Sequence, residues 1–175
     1  MTQHLVISAL GPDRAGLVDA LTQAVSDHGG NIGESRMAVL GGEFAMIMLV
    51  SGDAAAIDAI EQDLPALQTR LGMTLLHKRT SRRGLDPVRM PYDVEVVSMD
   101  HPGIVHEVAD FFARRGINIE RLDTENYAAP LSGVTMFSLT MTIGLPREIS
   151  ASKLRHEFIE FCEDLNLDAT LQAGR

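Results

Sequence analysis

Apolar positions along this chain repeat with two spacings, and the two spacings alternate in the same order in each half. Alternation with a period of two marks a half-buried strand, and recurrence every three to four residues marks a helix with one apolar face. Leu5–Leu10 reads as a first strand, and Tyr92–Met99 as its counterpart, where Asp93 and Glu95 alternate with Val94 and Val96. Leu17, Val18, Leu21, Ala24 and Val25 then fall at helical spacing, as do Ile104, Val105, Val108, Phe111 and Phe112. His28-Gly29-Gly30 and Arg115-Gly116 end these helices with the glycine that a left-handed C-terminal position favours.

The remaining elements also come in pairs. A second strand opens at Asn31-Ile32 and at Asn118-Ile119. The first copy turns at Gly41-Gly42 into Phe44–Val50, and the second turns through Ala128 to Gly133 into Val134–Ile143. A second helix shows Ile57, Ile60, Leu64, Leu67 and Leu71, matched by Leu154, Phe158, Phe161 and Leu165. Pro65 is expected to kink or split the first of these. Met73–His77 and Asp168–Leu171 supply short last strands. The order βαββαβ, twice over, predicts an α+β chain of two ferredoxin-like domains with antiparallel sheets. Domain 1 is expected at residues 1–79, a basic, proline-containing linker at 80–91 and domain 2 at 92–175.

The repeat extends to particular residues. Asp13-Arg14-Ala15-Gly16-Leu17-Val18 with Asn31-Ile32 recurs as Asp100-His101-Pro102-Gly103-Ile104-Val105 with Asn118-Ile119, at a constant offset of 87 positions (13 to 100, 31 to 118). An internal repeat sets the architecture before any single residue is interpreted. The aspartates are placed to cap the following helix. Ala15-Gly16 and Pro102-Gly103 allow close approach of a ligand to the backbone, and open N–H groups at a helix start favour a carboxylate. The carboxylate of Asp13 or Asp100 suits an ammonium group, so the signature predicts a cradle for an α-amino acid. Capping alone would also account for one such motif.

Composition narrows the function classes. Of 175 residues, 45% are apolar and 22% charged, which is ordinary for a globular protein. With 15 basic against 24 acidic residues the net charge is −9, which disfavours direct nucleic-acid binding. Lys78, Arg79, Arg82, Arg83 and Arg89 cluster between the two halves and read as a solvated linker. No apolar stretch approaches membrane-spanning length, and the N-terminus lacks the basic region of a signal peptide, so a cytoplasmic protein is expected. The six histidines show no metal-ligand spacing; only His101, inside the signature, is retained as a candidate. Cys162 reads as a small buried hydrophobe. No catalytic residue, metal site or cofactor is expected. Phe44, Met46, Met48 and Val50 on one side of a strand, with Ala45, Ile47 and Leu49 on the other, suggest a homo-oligomer.

The βαββαβ unit carrying Asp-x-x-Gly-[Leu/Ile]-Val and then Asn-Ile resembles the ACT domain, a small-molecule-sensing module of amino-acid metabolism. The resemblance covers essentially the whole chain as two tandem copies. Without an attached catalytic or DNA-binding domain, the chain most resembles the glycine cleavage system transcriptional repressor family. That resemblance implies a non-enzymatic regulator binding a small amino acid, with glycine favoured. It also implies contact with a DNA-binding transcription regulator rather than with DNA. In such modules the effector lies between one copy's strand–helix loop and a neighbour's second strand. Carried over, Asp13, Arg14, Ala15, Gly16 and Leu17 would face Asn118 and Ile119, and Asp100, His101, Pro102, Gly103 and Ile104 would face Asn31 and Ile32. The copies differ at Arg14 against His101 and at Glu34-Ser35 against Arg121-Leu122.

Three other roles share this element order. A regulatory subunit of an amino-acid biosynthetic enzyme predicts a stable complex with a catalytic chain. An acylphosphatase-like enzyme would use Arg14 and Asn31 but lacks the glycine-flanked phosphate cradle. An RNA-recognition fold needs sheet aromatics, and aromatics make up only 5% of the chain. Fold alone does not choose among them.

Overall fold

The computed structural model describes residues 1–81, 89–130 and 132–174. The chain divides into two compact units, Met1–Gly84 and Leu85–Arg175. Unit 1 runs β1 (Gln3–Pro12), α1 (Leu17–Asp27), β2 (Asn31–Leu40), β3 (Glu43–Gly52), α2 (Ala54–Leu71) and β4 (Thr74–Thr80). Unit 2 repeats the order as β5 (Arg89–Met99), α3 (Ile104–Ala113), β6 (Asn118–Ala128), β7 (Thr135–Pro146), α4 (Ala151–Asp164) and β8 (Asp168–Ala173). The expected linker at 80–91 begins on the last residue of β4, and Arg89–Pro91 already belong to β5. Residues 82–88, with Arg82 and Arg83, lie outside the described residues.

Each unit has a four-stranded antiparallel sheet, ordered β2-β3-β1-β4 and β6-β7-β5-β8. The sequence alternation decides which face is covered. Leu5, Ile7 and Ala9 of β1 and Phe44, Met46, Met48 and Val50 of β3 are buried against the apolar stripes of α1 and α2. In unit 2, Val94 and Val96 with Leu139, Met141 and Ile143 meet α3 and α4. Fully burying a side chain of this size contributes on the order of 1.5–3 kcal/mol, so these faces fix the register of each sheet. The opposite face stays open: on unit 1 it carries Leu10, Ile47 and Leu76, all exposed.

Pro65 does not split α2: the helix is continuous from Ala54 to Leu71. Pro65 lies on the exposed side, where the carbonyl four residues earlier can turn to water, while Leu64 and Leu67 beside it hold the helix on the sheet. Burial outweighs the missing hydrogen bond.

The two outermost strands on one edge, β2 and β6, are exposed along nearly their whole length on both sides. On their helix side Ile32 and Ile119 are half-buried against the cores, whereas Met37, Val39, Thr124 and Asn126 further along are exposed. That edge, beside the start of the first helix, is where each unit presents its signature loop.

Candidate functional site

The signature loops follow the central strands β1 and β5. Each is pinned to the neighbouring strands by one backbone bond: Asp13 N–H donates to the Gly42 carbonyl at 3.0 Å, and Asp100 N–H to the Thr135 carbonyl at 3.1 Å. The loops therefore sit at the same end of their sheets, next to the β2–β3 and β6–β7 connections.

The expected aspartate cap is not what the structure shows. The position before α1 is Gly16, with φ of 89°, and the position before α3 is Gly103, with φ of 101°; neither helix start has a side-chain hydrogen bond. The sequence reading put the cap at Asp13 and Asp100, but these lie three residues too early, and a left-handed backbone at this point requires glycine. The first helical bonds run from Ala20 N–H to the Gly16 carbonyl and from Glu107 N–H to the Gly103 carbonyl, both at 2.9 Å. The N–H groups of the first turn thus lack an intrahelical acceptor. The second helices are closed differently. Asp53 caps α2 by accepting from Ala56 N–H at 2.8 Å, and Ser150 caps α4 by accepting from Lys153 N–H at 3.4 Å.

In unit 1, Asp13, Arg14, Gly16, Leu17, Val18, Asp19, Met37 and Phe44 line an open depression. The Asp13 carboxylate has no hydrogen-bond or ion-pair partner among the described residues. Arg14 is turned away from it, donating to the Leu71 carbonyl at 2.8 Å, the last residue of α2, where it meets the negative end of that helix. Ala15 and Gly16 are exposed, whereas the side chain of Leu17 is buried and offers only its backbone.

Unit 2 places Asp100, His101, Pro102 and Gly103 on the surface and buries Ile104. His101 Nδ1 lies 3.3 Å from its neighbour's carbonyl, that of Pro102. Here the aspartate does have a partner: Asn126 of β6 donates its amide N–H to Asp100 at 3.1 Å. At the position of Asp19 stands His106, and the first-turn carboxylate of unit 2 is Glu107, one residue further on.

The strand asparagines do not join the loops of their own units. Asn31 pairs with Ser51 of β3, which in turn stands level with His4, at the far end of the sheet from Asp13. About nine strand residues separate the two levels, roughly 30 Å at 3.3 Å each. Asn118 is likewise level with Gly144 and Pro91, remote from Asp100. Asn31 is exposed and its carbonyl accepts from the Ser51 hydroxyl at 3.4 Å. Ile32 and Ile119 are half-buried and pack on their own cores.

Sequence reasoning passed over the outboard wall of each loop. Met37 and Val39 in unit 1, and Thr124 and Asn126 in unit 2, stand on the helix side of the edge strands. Which side of β2 meets the loop depends on the hairpin register. Among the described residues no cluster of His, Cys, Asp or Glu could hold a metal ion, and no helix is long and apolar enough to cross a membrane.

The two repeated units each present a signature loop at the start of their first helix. Residues 3–77 match the ACT domain family model. Over 171 residues it is 34% identical to the glycine cleavage system transcriptional repressor of Escherichia coli (strain K12), covering 97% of this chain and 90% of that protein. The repressor of the same description from Shigella flexneri matches to the same extent. A crystal structure of a protein of unknown function from Galdieria sulphuraria superposes with a TM-score of 0.81 at 32% identity, covering all of both chains. Another, provisionally assigned as a glycine cleavage system transcriptional repressor, gives 0.73 at 30% identity and covers 98% of this chain and 97% of that one. The chain belongs to the glycine cleavage system transcriptional repressor family.

Proposed function

We propose that this protein is a non-enzymatic, glycine-responsive sensor that controls transcription of glycine cleavage genes by contacting a DNA-binding regulator. The observation that carries the ligand half of this reading is the pair of uncapped helix starts. At α1 and α3 the first-turn N–H groups are closed by no side chain, and an aspartate stands in each preceding loop. An amino acid supplies what both lack: its carboxylate accepts the N–H groups, with the helix dipole behind them, and its ammonium meets Asp13 or Asp100. The name of the curated relatives supports the transcriptional half.

The site comprises Asp13–Leu17 and Asp100–Ile104, with the exposed loop residues as side-chain contacts and Leu17 and Ile104 contributing backbone only. Asn31 and Asn118 enter the proposal as contacts that the loop of their own unit does not reach. The net charge of −9 supports action through a protein rather than on a phosphate backbone, in a cytoplasmic setting. Exposed Leu10, Ile47 and Leu76 on the open face of unit 1 support a homo-oligomer. Titration calorimetry with glycine tests the ligand. A DNA mobility-shift assay with and without a DNA-binding regulator tests the partner, because a shift by this protein alone contradicts the reading.

A further inference from the structure

The two signature sites share a backbone but not a wall. Register fixes the comparison. Val39 lies opposite Phe44 and Met37 opposite Met46 in unit 1; Asn126 lies opposite Phe137 and Thr124 opposite Leu139 in unit 2. Phe44, Met46, Phe137 and Leu139 are all buried on the helix side, so the four edge-strand residues face that side too. The Asn126–Asp100 bond and the depression that joins Met37 to Asp13 show, one in each unit, that this stretch of edge strand borders the loop.

In unit 1 the wall is apolar and uncovered: Met37 is 50% exposed, Val39 46% and Val18 of the first helical turn 41%. In unit 2 the same positions hold Thr124, Asn126 and Val105. Asn126 gives one N–H to Asp100 and keeps its amide oxygen and second N–H, and Thr124 adds a hydroxyl.

We propose that the two sites select different amino acids: unit 1 an amino acid with an apolar side chain, unit 2 glycine or a small hydroxyl-bearing amino acid. The proposal rests on reading the loops as amino-acid sites. With the carboxylate on the first-turn N–H groups and the ammonium by Asp13, a ligand side chain in unit 1 falls against Met37 and Val39 and removes apolar surface from water. In unit 2 the same side chain would strip water from Thr124 and Asn126 without pairing them. A serine hydroxyl pairs with those groups, and glycine leaves them hydrated.

The test uses the full chain and two double variants, Met37→Thr/Val39→Asn and Thr124→Met/Asn126→Val, titrated calorimetrically with leucine, methionine, glycine and serine. All four substituted side chains are exposed to solvent on edge strands, so the cores are left intact. The wild type is expected to bind both classes at separate sites. The first double variant is expected to weaken leucine and methionine about tenfold or more while glycine is unchanged, and the second to weaken serine by a similar factor and admit leucine. Asn126→Asp, similar in size but without the donor to Asp100, is expected to weaken glycine and leave leucine alone. Glycine binding with no leucine or methionine binding overturns the proposal and leaves the sensor reading standing, as does selectivity unchanged in both double variants. A wild type that binds no amino acid overturns both.

Discussion

Asn126 donates its side-chain amide to the carboxylate of Asp100 at 3.1 Å, tying the edge strand of unit 2 to the loop that opens its first helix. Val39, at the matching position of unit 1, has no group to offer Asp13. The edge strand holds the carboxylate of Asp100 and not that of Asp13, whose loop is tied instead through Arg14 to the end of α2. Because the braced pair is exposed, its contribution to global stability is small, and its effect is on local order. Asn126→Ala is expected to raise amide hydrogen exchange several-fold in residues 100–103 while changing unfolding stability by less than about 1 kcal/mol. Val39→Ala should leave exchange in residues 13–16 as it was. Equal responses in the two loops would show that the bond braces nothing.

Gly16→Ala and Gly103→Ala are expected to destabilise their own units through the backbone. A Cβ at either position meets nothing within 4 Å, so crowding plays no part; φ values of 89° and 101° do. A left-handed backbone at a non-glycine residue costs about 1–2 kcal/mol, which corresponds to roughly 5 °C or more in the melting temperature of a domain this size. Thermal unfolding followed by circular dichroism reads it. Asp53→Ala is the comparison: loss of the α2 cap costs about 1 kcal/mol and should leave ligand affinity untouched, since Asp53 serves its own helix.

Arg79 of β4 gathers three partners, Glu61 and Asp58 of α2 and Gln3 of β1, with Glu61 at 2.6 Å. Its hydrogen bonds hold the Glu61 carboxyl below the usual carboxylate range, against a smaller opposing effect of burial. A depressed carboxyl pKa stabilises the fold above its unfolded value and loses that contribution as pH falls through the folded value. Arg79→Ala is expected to move the Glu61 titration upward, by side-chain NMR, and to flatten the acid limb of the stability profile. An unmoved Glu61 would mean that the contact does not persist in solution.

Cys162 is buried under Phe158 and the rest of the unit 2 core, and burial pushes its thiol up to about 12. It is expected to stay unmodified by a thiol reagent at neutral pH until the unit unfolds. The unfolded thiol ionises near its ordinary value of 9.0, so the native state keeps this contribution below that pH and loses it as pH climbs towards 12. Cys162→Ala should remove that part of the alkaline decline. Rapid labelling of the folded protein would contradict the buried placement.

Most of the architecture was legible because both halves bury one sheet face under two helices, and burial leaves its period in the sequence. Val94 and Val96, alternating with Asp93 and Glu95, show the covered face directly, and the constant spacing of the two signatures shows the duplication. Three features were not legible, each for a physical reason. Pro65 was expected to kink or split α2, and the helix is not split, because packing of Leu64 and Leu67 holds it on the sheet past a local defect on an exposed side. Asp13 and Asp100 were read as caps because residue type signals capping, whereas the backbone conformation of Gly16 and Gly103 decides where the helix begins. Met37, Val39, Thr124 and Asn126 could not be tied to the loops, since strand register across a hairpin is a long-range property. The separation of Asn31 from Asp13 within one unit is visible only once that register is known.

The central claim is that the uncapped helix starts hold an amino acid, and isothermal titration of the full-length protein with glycine tests it most directly. Saturable binding is expected, weakened about tenfold or more by Gly103→Ala and unchanged by Asp53→Ala. No saturable heat with glycine, or binding that Gly16→Ala and Gly103→Ala both leave intact, would contradict it.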